Sequence, residues 1–293
     1  MKQCLSFLKE KIKKNSYPLS AVVVLLVLIG LSFSFSYLKN KPENSPKKIS
    51  WVTDIHADRF KRRTVDSGTI YPKKYTEYLS KVFKKLKKQK INSVISTGDN
   101  TNSGDDNYAD ELMRITNEEK MDVIWVRGNH DNDEVMSILG ITEKQYYFRD
   151  IENTRIIVLD STEYENGEYD YFGGISQNQL EWLKKTIATE KKVIIAMHIP
   201  IFDEILKSSD IDASKGHFSG VGDLLERYVE LEEIFRKNNN VTMVLSGHWH
   251  VAWQKEYNGI SYYGQAALTR DGEEGGYATI NLENYEVEYK FAK

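Results

Sequence analysis

This 293-residue chain has six histidines, and five of them fall inside short motifs in a fixed order. The motifs are Asp54-Ile55-His56, Gly98-Asp99-Asn100, Gly128-Asn129-His130-Asp131, His198, and Gly247-His248-Trp249-His250. Carboxylate oxygen and imidazole nitrogen are the donors that hold first-row divalent metals, and this set is large enough for two ions. Taken singly, each motif has a plainer reading. Asp54 could cap a helix, Asp99 and Asn100 could form a turn, and Gly128 and Gly247 could be ordinary turn glycines. His198, beside Pro200, could be a structural histidine. Taken together, the plain readings need five coincidences, whereas one metal chemistry accounts for all of them.

The elements that must position these residues alternate strand and helix. Ile49–Thr53 is a short β-prone run that ends at Asp54. Lys73–Lys90 carries Tyr75, Tyr78, Leu79, Val82, Phe83 and Leu86 at helical spacing. Asn92–Thr97 predicts a strand ending at Gly98-Asp99, Tyr108–Glu119 a helix, and Asp122–Val126 a strand ending just before Gly128. Residues 154–160 predict a further buried strand. Ser176 is the expected N-cap of a helix reaching about Glu190, with Gln179 at the capping-box position. Val193–Met197 then delivers His198, and a helix over Asp223–Lys237 precedes the strand Val241–Leu245. Val251–Tyr257, Ile260–Tyr263, Tyr277–Leu282 and Val287–Phe291 read as closing strands, with Asn258-Gly259 as a hairpin turn. Asp54, Asp99, Asn129, His198 and His248 therefore each follow a strand. Ligand sites in open α/β sheets gather at strand carboxyl ends, so these donors are expected to share one rim.

The ordered set D-x-H, G-D-N, G-N-H-D, H and G-H-x-H resembles the calcineurin-like metallophosphoesterase family, from Asp54 to His250. The resemblance implies a four-layer α/β/β/α sandwich of two mixed sheets flanked by helices, with the strands after His250 in the second sheet. It implies Asp54, His56 and His250 as ligands of one metal, and Asn129, His198 and His248 as ligands of the other. Asp99 matches the bridging carboxylate. Two cations about 3.5–4 Å apart need such an anionic bridge, and Asn129 adds an oxygen without adding charge. The site then stays net positive and attracts a phosphate oxyanion.

The implied reaction is hydrolysis of a phosphodiester or phosphomonoester, with a metal-activated hydroxide attacking phosphorus in line with the leaving oxygen. His130 matches the family histidine near the leaving group, and Asp131 is expected to orient its ring. The alternative within the fold is a cyclic-nucleotide phosphodiesterase or nuclease. From another class comes a metal-bearing interaction module without turnover, which would have no use for His130. Two divalent transition-metal ions are the expected cofactors, with manganese, iron or zinc foremost. Purple acid phosphatases carry a tyrosine three residues after the bridging aspartate. Asn102 stands there in this chain, so no metal-bound phenolate is expected.

Several features are read apart from the motifs. Arg59, Lys61, Arg62 and Arg63 form either a solvated loop or contacts for a second substrate charge. Asp203–Gly222, with Lys207, Lys215 and His217, has the length and position of a lid. Trp51, Trp125 and Trp253 are expected in the core, as is Tyr146-Tyr147-Phe148. Trp249 is expected to face either the site or the second sheet.

Charge is unevenly distributed. Residues 1–48 carry nine lysines against Glu10 and Glu43, a balance of +7, and the remainder carries −10 from 31 basic and 41 acidic residues. An acidic domain is a poor non-specific nucleic-acid binder, so no nucleic-acid surface is expected. Cys4 is the single cysteine, which leaves no intramolecular disulfide. Tyr17–Leu38 holds 22 residues without a charge, long enough to cross a bilayer as a helix. The expected order is a basic segment at 1–16, a transmembrane anchor at 17–38, a linker at 39–48 and a catalytic domain at 49–293. Lys9, Lys11, Lys13 and Lys14 favour a cytoplasmic amino terminus and an extracytoplasmic domain. The rival reading is a secreted protein whose signal peptide is cleaved near Ser34-Phe35-Ser36.

Overall fold

In the computed structural model, which describes residues 48–65, 68–162, 173–201, 228–273 and 275–292, neighbouring strand residues enter different apolar clusters. Ile156 and Val158 are buried in one cluster, and Ile157 and Leu159 in another. Side chains alternate along a strand, so burial on both faces requires two covering layers.

Two mixed sheets meet that requirement. The first has the order β13-β12-β1-β4-β5. It is built from β1 (Lys48–Val52), β4 (Ser93–Ser96), β5 (Asp122–Trp125), β12 (Tyr277–Asn281) and β13 (Val287–Lys290). The second has the order β10-β11-β9-β8-β7-β6. Its strands are β6 (Tyr147–Ile151), β7 (Thr154–Val158), β8 (Lys192–Ala196), β9 (Val241–Ser246), β10 (Trp253–Tyr257) and β11 (Ile260–Gly264). Ile49, Trp51, Ile95 and Ile124 of the first sheet share a cluster with Ile156, Ile194, Met243 and Tyr263 of the second. The other face of the first sheet, through Val52 and Val94, is covered by α1 (Tyr75–Lys88), α2 (Asp106–Glu119) and α3 (Asp133–Ile138). The other face of the second, through Val193, Ile195 and Val244, is covered by α4 (Gln177–Thr186) and α5 (Tyr228–Lys237). Burying one such Leu or Ile contributes roughly 1.5–3 kcal/mol. The layers run α/β/β/α, as expected.

The strands that precede the motifs are parallel within their sheets. β1, β4 and β5 form one parallel set, and β7, β8, β9 and β11 another. The closing strands depart from expectation. β10 and β11 extend the second sheet, but β12 and β13 return to the first, where Trp51 pairs with Ala278 and Ile49 with Ile280. The edge of β1 away from β4 needs backbone partners, and Ala278 and Ile280 carry the alternation that fills the space between the sheets.

Element ends carry recognisable caps. Ser176 accepts from Gln179 N at 3.3 Å, as its position predicts, and Gln179 bonds both the backbone N (2.8 Å) and O (2.9 Å) of Asp160. Asn258 and Gly259 have φ of 52° and 75°, the paired left-handed values of a tight hairpin turn between β10 and β11. Two elements lie outside the sequence reading: α3, capped by Asn132, and a hairpin of β2 (Arg63–Val65) with β3 (Gly68–Ile70). Among the described residues, no helix is long and apolar enough to cross a membrane. The expected anchor at 17–38 and the expected lid at Asp203–Gly222 lie outside the described residues.

Candidate metal centre

Loops leaving β1, β4 and β5 in one sheet and β8 and β9 in the other meet at a single rim. Backbone bonds join them before any side chain does. Asp54 N donates to Gly98 O (3.0 Å), His56 N to Asp99 O (2.8 Å) and Gly247 N to His198 O (3.0 Å). Asp54, His56, Asp99, His248 and His250 take left-handed φ values of 49°, 46°, 49°, 70° and 58°. Residues held there cost on the order of 1–3 kcal/mol each and persist only where their surroundings over-determine them. Five of the ten non-glycine residues with such φ values among the described residues lie on this rim.

The side chains form two linked groups. Donor atoms of Asp54, His56, Asp99 and His250 lie within 4.8 Å of one another, and all four residues are buried. Within that group His250 Nε2 is 3.2 Å from Asp54 Oδ1 and 2.9 Å from His56 Nε2. In the second group Asn129 Oδ1 is 3.0 Å from His198 Nε2 and 3.1 Å from His248 Nδ1. Asp99 serves both groups: its Oδ1 is 3.3 Å from His198 Nε2 and its Oδ2 is 3.4 Å from His56 Nε2. All seven residues expected as ligands are thus brought together.

Their electrostatics suit a cation. The Thr97 carbonyl, 2.8 Å from His198 Nδ1, can only accept, so that nitrogen carries a hydrogen. His198 Nε2 then faces two oxygens, an arrangement that needs a proton or a metal between them. Burial works against protonation, but the Asp99 charge outweighs it and raises His198 to about 9. Burial holds His56 well below the usual imidazole range and His248 at about 4. Burial pushes Asp99 and Asp54 up, but the neighbouring imidazoles prevail and keep both carboxyls low. The Nδ1 atoms of His56 and His250 are buried without hydrogen-bond partners. Ionised carboxylates, an amide oxygen and imidazole nitrogens form a donor set that divalent transition metals accept, an ion taking the place of the His198 Nε2 proton.

His130 lies beside this group. Its Nδ1 donates to Asn102 O (2.8 Å), its backbone N donates to Asp99 Oδ1 (3.0 Å), and its Nε2 is 4.0 Å from Asp99 Oδ2. Asp131 does not orient the ring, contrary to the sequence expectation. Its Oδ1 accepts from Thr101 N and Oγ1, and its Oδ2 from Asn100 N, Asn100 Nδ2 and Gly128 N. A buried carboxylate must be surrounded by donors, and the two loops supply them. Asp131 therefore ties the Asp99 loop to the Asn129 loop. The carbonyl of Asn102 has the role expected of Asp131, and the only sequence signal for it was its place three residues after Asp99.

The neighbouring features divide. Arg59, Lys61 and Arg62 are exposed, whereas Arg63 is half-buried and donates to Asn102 Oδ1, whose Nδ2 donates to Asp58 Oδ2 at 2.7 Å. Trp51, Trp125 and Trp253 are buried as expected. Trp249 packs in the second sheet's helix-side cluster, 5.6 Å from Trp253 between ring centroids. Phe148 is exposed rather than core, with the Arg155 guanidinium over its ring at 4.1 Å.

Gly128 is required by close approach. A Cβ there would stand 2.0 Å from Asp99 N and 2.3 Å from Asp99 Oδ1. Gly128→Ala is expected to cost about 3 kcal/mol through overpacking. That corresponds to a Tm fall of roughly 6–12 °C in a domain of this size. A melt that matches the wild type would show that the loops yield without cost.

Comparison with known proteins agrees with the geometry. The calcineurin-like phosphoesterase profile matches residues 47–252, most of the chain. A Nostoc protein named 3′,5′-cyclic-nucleotide phosphodiesterase is 24% identical over 230 residues, covering 76% of this chain and 78% of the relative. A probable cyclic nucleotide phosphodiesterase of Fibrobacter succinogenes is 24% identical over 221 residues, 73% of this chain and 76% of that protein. Among solved structures, a dimetal phosphatase of Danio rerio superposes with a TM-score of 0.66 at 14% identity, covering 85% of this chain and 98% of that one. A purple acid phosphatase of yellow lupin gives 0.52 at 13% identity, with 84% and 51% covered. At these identities the two structures speak for the fold alone. With the profile match and the convergent donor set together, the chain belongs to the calcineurin-like phosphoesterase family.

Proposed function

We propose that this enzyme hydrolyses phosphodiesters, with cyclic nucleotides as the favoured class, at a site holding two divalent ions. Asp54, His56 and His250 would hold one ion, Asn129, His198 and His248 the other, and Asp99 would bridge them. The observation that carries this reading is the division of the Asp99 carboxylate, one oxygen facing His198 at 3.3 Å and the other His56 at 3.4 Å. Such ions supply Lewis-acid polarisation and a nucleophile at neutral pH. Manganese, iron and zinc all suit the mixed nitrogen and oxygen donors.

The protein's own groups complete the chemistry. With Nδ1–H held by the Asn102 carbonyl, His130 presents Nε2 to the site. A protonated ring can hand its Nε2 proton to the leaving oxygen and keep the Nδ1 hydrogen bond throughout. The buried rim keeps the reacting groups among fixed dipoles rather than bulk water. The diester preference follows the names of the two relatives. The uncharged run at 17–38, with lysines before it, supports tethering to a membrane with the domain outside the cytoplasm.

The test compares bis-p-nitrophenyl phosphate, p-nitrophenyl phosphate and 3′,5′-cyclic AMP, with added manganese and with chelator. Diester hydrolysis is expected to exceed monoester hydrolysis by about tenfold, a difference of about 1.4 kcal/mol. Chelator should abolish it and manganese restore it. Turnover that survives exhaustive chelation would overturn the reading, and a monoester preference would overturn the diester assignment.

A further inference from the structure

The rings of this site are held from behind in different ways. His198 is fixed by the Thr97 carbonyl and His130 by the Asn102 carbonyl, each at 2.8 Å from Nδ1. His250 is not, because its Nδ1 is buried without a hydrogen-bond partner. Its backbone also sits in the left-handed region, at φ 58°. A ring with no partner at Nδ1 has nothing behind it but its own backbone, so whatever fixes the His250 peptide helps to aim Nε2.

That contact comes from a residue outside every motif. Arg270 Nη1 donates to His250 O at 2.6 Å, and Ala267 N reaches the same oxygen at 3.4 Å. The first is a short, charge-assisted hydrogen bond, about twice as strong as a neutral one. Arg270 is 9% exposed, and burial lowers its guanidinium from the ordinary value. Glu273 Oε2 stands 3.6 Å from Arg270 Nε and offsets part of the charge. The backbone of Arg270 is anchored as well. It bridges Ile70 of β3, and the flanking bonds Tyr71 N to Thr269 O (2.9 Å) and Asp271 N to Thr69 O (2.8 Å) bind it to the hairpin. The guanidinium is therefore held against the backbone of a ligand histidine that, like His56, combines a left-handed φ with an unpartnered Nδ1.

We propose that Arg270 is a positioning residue which, through the His250 carbonyl, aims His250 Nε2 at the ion shared with Asp54 and His56. This rests on the two-ion reading above. Groups that orient a metal-ligating histidine typically change metal affinity 10–100-fold when removed. Here the effect should fall on one ion class, because the carbonyl that Arg270 holds belongs to His250, a ligand expected at that ion alone.

The test titrates manganese into the full-length protein and its Arg270→Met and Arg270→Lys variants by calorimetry, with ions per chain counted by elemental analysis. His250→Ala serves as the benchmark for loss of that class. Arg270→Met is expected to weaken one class 10–100-fold and leave the other unchanged, and Arg270→Lys, which keeps a charged donor, to recover much of the loss. Wild-type affinity at both classes in Arg270→Met would overturn the proposal. So would equal weakening of both classes with a matching fall in Tm, the mark of a merely structural role. Should Arg270→Met fail to fold, Arg270→Gln, which loses the charge, decides in its place: selective weakening of the His250 class supports the proposal, and unchanged affinity overturns it. A wild-type protein that binds no pair of ions sinks the two-ion reading itself, an outcome visible before any variant is compared.

Discussion

Asp99→Asn should release both ions and lower diester hydrolysis by at least about three orders of magnitude, the scale of losing a principal charge-stabilising group. The substitution preserves shape, so the effect isolates charge. Asp99 is 2% exposed, and the imidazoles of His198, His130 and His56 overcome burial to hold its carboxyl well below the usual range. The group is therefore an anion with an oxygen directed at each donor cluster. An amide offers one oxygen and one NH2, and the NH2 must face one cluster as a donor where a cation belongs. Elemental analysis with diester kinetics on the variant checks the result. Retention of two ions per chain would refute the bridging role.

The complementary result is expected at His130. His130→Ala should lower turnover by about 10²–10⁴, the usual contribution of a positioned general acid, while ion content stays at the wild-type value. The geometry separates the two readouts. His130 Nδ1 is engaged by Asn102 O at 2.8 Å, and its Nε2 stands 4.0 Å from Asp99 Oδ2, at the border of the donor group rather than within it. Parallel loss of ions and turnover would make His130 a ligand and remove the proton-donor assignment. The contribution should also shrink for an ester with a strongly acidic leaving alcohol, which departs without protonation.

The motifs were legible because their logic is local. Asp54, Asp99, Asn129, His198 and His248 each follow an apolar run of strand length, and parallel strands bring such ends to one side. The layering followed from side-chain alternation, as at Ile156 to Leu159. What stayed hidden depends on distant partners. No local pattern distinguishes β12, which pairs with β1, from β11, which pairs with β9. Asp131 is adjacent to His130 in the chain but its carboxylate is not directed at the ring, because the turn sends it into the Asn100 and Thr101 amides. Arg270 stands twenty residues beyond His250 with no recurring spacing to single it out. The Asn132 cap of α3 was visible in principle, since Asp133 and Glu134 follow it as acidic first-turn residues.

The donors come from both halves of the sandwich: Asp54, His56, Asp99 and Asn129 from the sheet of β1, β4 and β5, and His198, His248 and His250 from the sheet of β8 and β9. An ion seated among them would act as a rivet through two plates, resisting any slide of one against the other. Ion occupancy and resistance to unfolding then become two readings of a single equilibrium, with a hundredfold excess over Kd worth about 2.7 kcal/mol.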